Sequence, residues 1–316
     1  VYTITYTDET ADPDTIACDF TVTVIDSIAP VIVCPDTVQV QCIDEIPDYY
    51  INYLDFIADG GILDDNCTVS LSTFAWVSDT GLLAPECTNR DTITRIYSVE
   101  DIYGNTGLCE QTIVVYDTIA PTITLPADTI VNCNAMMTPT QLGSATAVDN
   151  CPMVSVNIWS ADSSTQSGDV DSCDNYNYVI TRTWYAEDEC GNIDSLDQTI
   201  MVQDTTKPVA ICKNFFVYLD INGEASILPD SINNVSTDNC MPPASLNLAL
   251  DVQDFDCDDV PSVEVTLFVK DACGNTNSCT AIVTVADTVA PVAVCQSAIT
   301  IYLDSMGNAS IDSTDI

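Results

Sequence analysis

Residues 92–121 read TITRIYSVEDIYGNTGLCEQTIVVYDTIAP. Apolar and polar side chains alternate on both sides of the Gly104–Asn105 pair, and alternation rich in Val, Ile, Thr and Tyr is typical of half-buried β-strands. A Gly-Asn pair marks a turn, because both residues tolerate positive φ. The stretch therefore predicts two strands separated by a turn and followed by an Asp-x-x-x-Pro linker.

Three landmarks from this region return along the chain in constant order. The linker prolines are 91, 87 and 83 residues apart. Recurrence at such a spacing is the signature of tandem modules. The linkers are DSIAP at 26–30, DTIAP at 117–121, DTTKP at 204–208 and DTVAP at 287–291; Asp-Asn-Cys occurs at 65–67, 149–151 and 238–240; Gly-Asn occurs at 104–105, 191–192 and 274–275.

The linkers divide the chain into three complete units, residues 27–117, 118–204 and 205–287. Residues 1–26 would be the C-terminal part of a preceding repeat, and 288–316 the N-terminal part of a following one. Each unit consists of short alternating runs without helical periodicity, so we predict an all-β fold of tandem immunoglobulin-like β-sandwich domains, placed end to end. The chain would then be a segment of a longer protein.

Charge excludes several classes of partner. The chain has 48 Asp and Glu against 6 Lys and Arg, a net charge of −42, yet 47% of its residues are hydrophobic. Disordered acidic chains lack apolar residues, so these acids belong to folded surfaces. Such a surface repels nucleic acid and anionic membranes. No apolar run reaches the roughly 18–20 residues of a membrane helix, so membrane insertion is not expected either.

The absence of histidine bears on catalysis. With no His in the sequence, Ser-His-Asp and Cys-His nucleophilic machinery is excluded. Paired carboxylates could act as acid and base, but nothing marks out one pair among so many acids. We therefore predict that the chain is not an enzyme.

The order of the landmarks resembles a known family. An early Cys, Asp-Asn-Cys in the middle, Gly-Asn preceded by Ala-Cys or its variants, a late Cys and the Asp-Thr-x-Ala-Pro linker are similar to the hyalin repeat and to related immunoglobulin-like repeats of large secreted Bacteroidetes surface proteins. The resemblance covers the whole chain. It implies extracellular adhesion, matrix or fibre formation without enzyme chemistry.

Sixteen cysteines without a CxxC pair or a His favour disulfides over zinc, and hence a secreted, cell-surface location. Cys42 and Cys273 have no predicted intrachain partner, which leaves buried free thiols or a bond to another chain or to a ligand. Cys18 and Cys295 would pair outside the segment. Comparison of the units predicts local bridges Cys67–Cys87, Cys151–Cys173 and Cys240–Cys257, long bridges Cys34–Cys109 and Cys212–Cys279, and Cys133–Cys190 in the middle unit.

Calcium is the ligand that best uses the acids, because hard cations take oxygen ligands and repelling acids at a junction need a counterion. The alternative is that linker Asp and Asp-Asn residues only cap turns through their own backbone. The loop Asp220–Glu224 also resembles a calcium loop, although a plain hairpin at Asn222-Gly223 is the simpler interpretation. The candidate ligands are Asp26, Asp117, Asp204, Asp287, Asp65, Asp149, Asp238, Asp101, Asp188 and Asp271.

The motif Asp-(Ser/Thr)-apolar resembles the Bacteroidetes O-glycosylation signal, and several copies lie in linkers that should be accessible. The alternative is that Asp followed by a strand-starting Thr-Ile is simply how these repeats begin. The candidate acceptors are Thr15, Ser27, Thr37, Thr92, Thr118, Thr129, Ser195, Thr205, Ser231, Thr288, Ser305 and Ser313.

The repeats support three functional hypotheses. The first is a stiff spacer or cell-surface filament that associates with further copies of itself. The second is a binding module for carbohydrate or protein, for which the aromatic excess in residues 46–62 is the local indication. The third is an accessory region of an enzyme whose catalytic domain lies elsewhere. Trp76, Trp159 and Trp184 fall within their units and are predicted to be core residues.

Overall fold

The computed structural model describes residues 2–6, 18–81, 87–152, 155–294 and 298–312. Single 3₁₀ turns cover Ile43–Glu45, Cys173–Asn175, Pro243–Ser245 and Cys257–Asp259. The strands and helices are β1 Tyr2–Tyr6, β2 Cys18–Val22, β3 Val31–Val33, β4 Val38–Val40, α1 Tyr53–Ala58, β5 Ile62–Asp64, β6 Val69–Thr80, β7 Arg90–Asp101, β8 Thr106–Tyr116, β9 Thr122–Thr124, β10 Thr129–Asn132, α2 Pro139–Leu142, β11 Thr146–Val148, β12 Asn157–Ser164, β13 Tyr178–Glu187, β14 Ile193–Gln203, β15 Phe215–Tyr218, β16 Ala225–Ser226, α3 Pro229–Ile232, β17 Asn247–Leu250, β18 Asp254–Phe255, β19 Ser262–Lys270 and β20 Thr276–Ala286.

The chain divides into two compact units, and the division passes through the second sequence repeat. The first unit comprises Val1–Ala127, Thr138–Asp162 and Thr181–Gln198. The second comprises Asp128–Met137, Ser163–Ile180 and Thr199–Ile316. The repeat limits that the linkers indicate remain a prediction.

In the first unit, a four-stranded sheet of order β4-β8-β7-β6 accompanies the two-stranded sheet β3-β5. The β6-β7 and β7-β8 pairs are antiparallel, and β4 pairs with β8 in parallel. Alternate side chains of β7 are buried, as its sequence pattern predicts, and Tyr97 and Val99 join Phe56 of α1 and Phe74 of β6 in one core. A second core in this unit contains Trp184 and Ile123.

The second unit repeats this arrangement. A four-stranded sheet has the order β15-β20-β19-β17, with β15 parallel to β20, and β16 pairs with β18. Val265, Leu267 and Val269 of β19 face inward and pack with Ile232 and Phe255. In the second repeat, β10 again pairs in parallel with β14. The all-β, tandem immunoglobulin-like sandwich architecture predicted from the landmarks is confirmed.

The predicted hairpin at Asn222-Gly223 is wrong, although its turn is present. Gly223 has a φ of 78°, and Asp220 accepts hydrogen bonds from the N–H groups of Asn222 and Glu224. The flanking strands nevertheless enter different sheets, because β15 pairs with β20 and β16 pairs with β18. A local turn signal cannot report which distant strand takes each hydrogen-bonding edge.

Of the three tryptophans, only Trp184 is a core residue, with 4% of its surface exposed. Trp76 is 38% and Trp159 37% exposed, and each stacks on a neighbouring tyrosine, Tyr49 and Tyr185 respectively. The core prediction for these two is wrong because irregular pairing of β6 on both sides of Trp76, and the outward face of β12 at Trp159, place the indoles at the surface. None of the described helices is long and apolar enough to cross a bilayer.

Candidate functional site: the acidic junctions

The three sequence landmarks meet in space, which the Asp204 cluster (Asp204, Asp238 and Asp271, all in the second unit) shows best. One oxygen of Asp204, Oδ1, accepts the N–H of the residue two positions later at 3.1 Å. Oδ1 of Asp238 does the same at 2.9 Å. Asp271 accepts the backbone and side-chain N–H groups of Asn275, whose amide also donates to the backbone carbonyl of Asp204 at 3.2 Å.

Two equivalent clusters lie in the first unit, the Asp117 cluster (Asp117, Asp149 and Asp188) and the Asp26 cluster (Asp26, Asp65 and Asp101). In each, the landmark Asn holds the late Asp and donates to the carbonyl of the linker Asp. These bonds are Asn192 to Asp188 and Asp117 at 2.8 and 3.2 Å, and Asn105 to Asp101 and Asp26 at 2.7 and 3.1 Å. The glycine before each Asn has positive φ, which a turn this tight requires.

The Asp204 cluster concentrates negative charge in a buried place. Asp204 and Asp271 are only 4% and 3% exposed, and carboxylate oxygens of the three residues lie within 4.8 Å of one another. The remaining oxygens of Asp204 and Asp238, both Oδ2, are buried without any hydrogen-bond partner. Burial first, and then the charges of Asp238 and Asp271, raise the pKa of Asp204.

The Asp117 cluster shows the same effect on pKa, whereas the Asp26 cluster shows the opposite one. Burial, followed by the charges of Asp117 and Asp188, raises the pKa of Asp149, whose Oδ2 has no partner. Asp117 and Asp149 have oxygens within 4.8 Å of each other, as do the three residues of the Asp26 cluster. Within that cluster burial opposes ionisation of Asp101, but the hydrogen bonds from Asn105 outweigh it and lower the pKa of Asp101.

The nearby sulfur atoms do not change the character of these sites. Cys133 and Cys240 lie beside Asp204, and Cys151 lies beside Asp117, but all three are bonded in disulfides. A disulfide sulfur is not a thiolate, so the donors that remain are carboxylate oxygens, which suit hard divalent cations. In the part of the chain that the structure describes, the ion pairs are Arg95–Asp79 and Arg182–Asp162, away from the clusters.

Nine of the ten predicted ligands are thus brought together in threes. Asp287 is the exception: its Oδ1 accepts the N–H of Val289 at 2.9 Å, and it is exposed outside any cluster of the described residues. The turn-capping alternative also holds, because one oxygen of each linker Asp closes a turn, and at Asp204 the other oxygen is left without a hydrogen-bond partner. Asn105, Asn192 and Asn275 were missed as site residues, although the Gly-Asn landmark already pointed to them.

The structure has six disulfides among its described residues, and two are as predicted. Cys34 is bonded to Cys109 and Cys212 to Cys279. In each bridge the first cysteine lies shortly before a strand that pairs in parallel with the last strand of its repeat, β4 with β8 and β15 with β20. The second repeat lacks both cysteines and has Leu125 and Leu196 at the two positions, and this joint absence was the sequence signal for the pairing.

The other four predicted bridges are wrong. Cys67–Cys87, Cys151–Cys173, Cys240–Cys257 and Cys133–Cys190 are replaced by bridges from one sequence repeat to the next: Cys42–Cys151, Cys87–Cys190, Cys133–Cys240 and Cys173–Cys273. Cys42 and Cys273 are therefore bonded rather than free.

The bridges predicted from closeness in sequence are wrong because the cysteine after each Asp-Asn pair lies beside the linker Asp that precedes its repeat. Cys151 Sγ, for example, is 3.4 Å from Asp117 Oδ2. It therefore faces the repeat before its own. Cys67 and Cys257 are unpaired and exposed among the described residues, at positions equivalent to bridged cysteines. Cys295 lies outside the described residues, and the prediction of external partners for Cys18 and Cys295 remains a prediction.

Most of the candidate glycosylation sites are accessible. Thr129 and Ser231 are half-buried, and Thr15 and Ser313 lie outside the described residues. Accessibility is necessary for modification without demonstrating it, so glycosylation remains a prediction. The exposed acceptors are Ser27, Thr37, Thr92, Thr118, Ser195, Thr205, Thr288 and Ser305.

No protein-family model and no curated protein matches the chain. Among solved structures, protocadherin gamma B2 cadherin domains 1–5 are 12% identical with a TM-score of 0.30, over 87% of this chain and 63% of that chain, less than two thirds of its length. Drosophila N-cadherin EC1-4 is 11% identical with a TM-score of 0.29, over 89% and 82%. The human desmocollin-1 ectodomain is 12% identical with a TM-score of 0.25, over 90% and 68%. TM-scores this low do not establish a shared topology.

Proposed function

We propose that this chain is a structural and adhesive segment of a secreted cell-surface protein, in which consecutive repeats are covalently linked into a stiff stalk or filament. The observation that carries the proposal is the set of four disulfides between one sequence repeat and the next. Catalysis does not require such linkage, whereas resistance to force and proteolysis does benefit from it.

The bridges overlap along the sequence without a gap from Cys34 to Cys279. Every residue between these two cysteines therefore lies inside at least one closed loop. Pulling on the two ends loads the shortest covalent path, which crosses from Cys42 to Cys151, follows the chain to Cys173 and crosses to Cys273. Unfolding of the modules cannot release the chain that this path bypasses.

Six disulfides need an oxidising compartment, which supports the proposed extracellular location. The resemblance to hyalin-type repeats supports the same role, and we include membership of that class in the proposal. Further copies of the chain are the proposed partners in a filament, where acidic surfaces would require cations between subunits.

Single-molecule stretching of the whole chain tests the proposal. With the bridges intact, the maximum extension should be roughly a third of that of the fully reduced chain, because the covalent path bypasses most residues. The same chain after reduction and alkylation is the control. Equal extension in the two states would contradict a covalently linked stalk.

A ligand-binding role is the second candidate, favoured by one surface of the first unit. Tyr49 and Trp76 are exposed and stacked with ring centres 4.6 Å apart, next to a cleft of about 500 Å³ that Tyr49, Tyr50 and Asp55 help to line. Stacked exposed rings can bind the apolar face of a sugar. Glycan binding by the native chain that is lost in Trp76→Ala and kept in Phe216→Ala, an exposed aromatic elsewhere, would support it; equal binding by both variants would oppose it.

A further inference from the structure

We propose that the Asp204 cluster is a binding site for a divalent cation of the calcium class, and that the Asp117 and Asp26 clusters are weaker versions of the same site. The cation would be held by the Oδ2 atoms of Asp204 and Asp238, which have no hydrogen-bond partner, and by a carboxylate oxygen of Asp271, which also accepts hydrogen bonds from Asn275. The site does not depend on the proposed mechanical function, because its ligands are carboxylates and its construction needs no applied force.

The Asp204 cluster contains unused hydrogen-bond acceptors. Asp204 is more than nine-tenths buried, and its Oδ2 has no hydrogen-bond partner, although Oδ1 closes a turn. Oδ2 of the neighbouring Asp238 is equally without a partner. Leaving a buried charged oxygen unsatisfied is costly, so two such oxygens in one cluster point to a ligand that both can bind, and a cation is such a ligand.

The negative charge of the Asp204 cluster is not compensated by a cationic side chain among the described residues. Three carboxylates with oxygens within 4.8 Å of one another repel strongly at low dielectric. Within the described residues no Lys or Arg pairs with them, since the ion pairs there are Arg95–Asp79 and Arg182–Asp162. Protonation offers one route to relief, and burial and neighbouring charge do raise the pKa of Asp204. A bound cation relieves all three carboxylates at once.

The spacing of the oxygens in the Asp204 cluster suits a calcium ion. Calcium takes oxygen ligands at about 2.3–2.6 Å, so two oxygens on one ion lie at most about 4.6–5.2 Å apart. The oxygens of the Asp204 cluster lie no more than 4.8 Å apart, so one ion can contact all three residues. Water and backbone carbonyls would complete the coordination, as hard cations commonly require. Zinc is disfavoured because the adjacent Cys133 and Cys240 are bonded to each other.

The three clusters should differ in affinity. In the Asp117 cluster, the described group within 4.8 Å contains the carboxylates of Asp117 and Asp149 but not that of Asp188, and one buried oxygen, Asp149 Oδ2, lacks a partner. In the Asp26 cluster, Asp26 is only half-buried and its oxygens accept N–H groups from Asn66 and Ile28. Fewer unused oxygens and greater hydration both weaken a cation site, so Asp204 should bind most tightly.

Calcium titration of the intact, disulfide-bonded chain provides the test. The chain is first freed of metal with a chelator and then titrated by calorimetry in about 0.15 M NaCl, where diffuse counterion binding is screened beyond about 8 Å. Wild type is compared with Asp204→Asn and Asp238→Asn. The control is Glu264→Gln, which removes one charge from an exposed position of β19 far from the landmarks.

Wild type and Glu264→Gln should show saturable uptake, and Asp204→Asn should bind one ion fewer per chain. Melting gives a second readout that does not depend on titration heats. Calcium should raise the melting temperature of wild type. In Asp204→Asn, calcium should no longer raise the melting temperature of the second unit, which contains this cluster. In chelator the same variant should melt higher than wild type, because it removes a buried repelling charge. Should Asp204→Asn fail to fold, the half-buried Asp238→Asn gives the same comparison.

Two results would overturn the proposal. One is calcium uptake that stays unsaturated, which is the behaviour of diffuse screening by a chain of net charge −42. The other is equal ion number and affinity in Asp204→Asn, Asp238→Asn and Glu264→Gln. All disulfides remain intact in these variants, so either failure would leave the proposed mechanical function standing.

Discussion

The first and third sequence repeats share a sheet order but differ at the centre of the sheet. Six residues before the late Asp, β7 has Arg95, which is buried and paired with Asp79 at 2.9 Å, whereas β19 has Val265, which is fully buried. The residue opposite on the neighbouring strand differs in the same sense: Arg95 faces buried Gln111, and Val265 faces buried Ala281. Both solutions are internally satisfied, because Arg95 also donates to the carbonyl of Pro47 at 2.8 Å.

The two repeats also differ in their covalent links. Cys67 of the first repeat is unpaired, while the equivalent Cys240 of the third is bonded to Cys133. The acidic landmarks around both cysteines have the same turn geometry. The comparison shows that the landmark residues form the same turns in both repeats, whereas the core residues and the disulfides differ between them.

The largest expected effect is the loss of a bridge in the double variant Cys133→Ser/Cys240→Ser. Opening a loop of this length should lower the free energy of unfolding of the second unit by about 4 kcal/mol. Cys67→Ser is the matched control, because it changes the equivalent residue without breaking a bond, and it should have almost no effect. Chemical denaturation monitored by fluorescence measures both, and equal losses would contradict the observed pairing.

The next effect concerns the polar centre of the first repeat. Asp79→Asn leaves the guanidinium of Arg95 buried without its anion and should cost about 2 kcal/mol. This is less than for a fully buried pair, because Asp79 is partly exposed. Glu100→Gln, at an exposed position of β7, should change the free energy of unfolding little. A loss no larger than that of the control would show that the ion pair is not needed.

The smallest effect is a difference in acid stability. Burial opposes ionisation of Asp79, but hydrogen bonds from Arg95 and Trp76 outweigh it and lower its pKa; hydrogen bonds from Arg182 lower that of Asp162. A lowered folded pKa contributes stability above the ordinary value of 3.8, and that stability is lost as pH falls through the folded pKa.

Between pH 7 and pH 3, wild type should therefore lose more stability than Asp79→Asn, by about 1 kcal/mol or less. The third repeat has no such pair at Val265 and should not contribute to the difference. Denaturation curves at both pH values measure it. If both proteins lose the same free energy of unfolding between pH 7 and pH 3, the ion pair does not lower the pKa of Asp79 in the folded state.

Prediction from the sequence succeeded where the structure of a short segment depends on the residues of that segment alone. Alternation along β7 and β19 placed the inward side chains. The three landmarks placed eight of the ten acids in groups of close carboxylates, and Asp188 joins the Asp117 cluster through Asn192. It failed at Trp76, where irregular strand pairing changes the face that a residue occupies. It failed also at Asn222-Gly223, where a correct turn leads into two different sheets.

The sequence alone determined the repeat period, the all-β class, the turns at the landmarks and the two bridges within repeats. The first three depend on local backbone preference, and the two bridges were recognised because both cysteines of each pair occur in the same repeats. The partners of Cys42, Cys87, Cys133 and Cys173 depended on folding, because these bonds join residues 100–109 positions apart. The same holds for the unused oxygens of Asp204 and Asp238. Whether a buried atom has a partner depends on everything packed around it, and no local pattern contains that information.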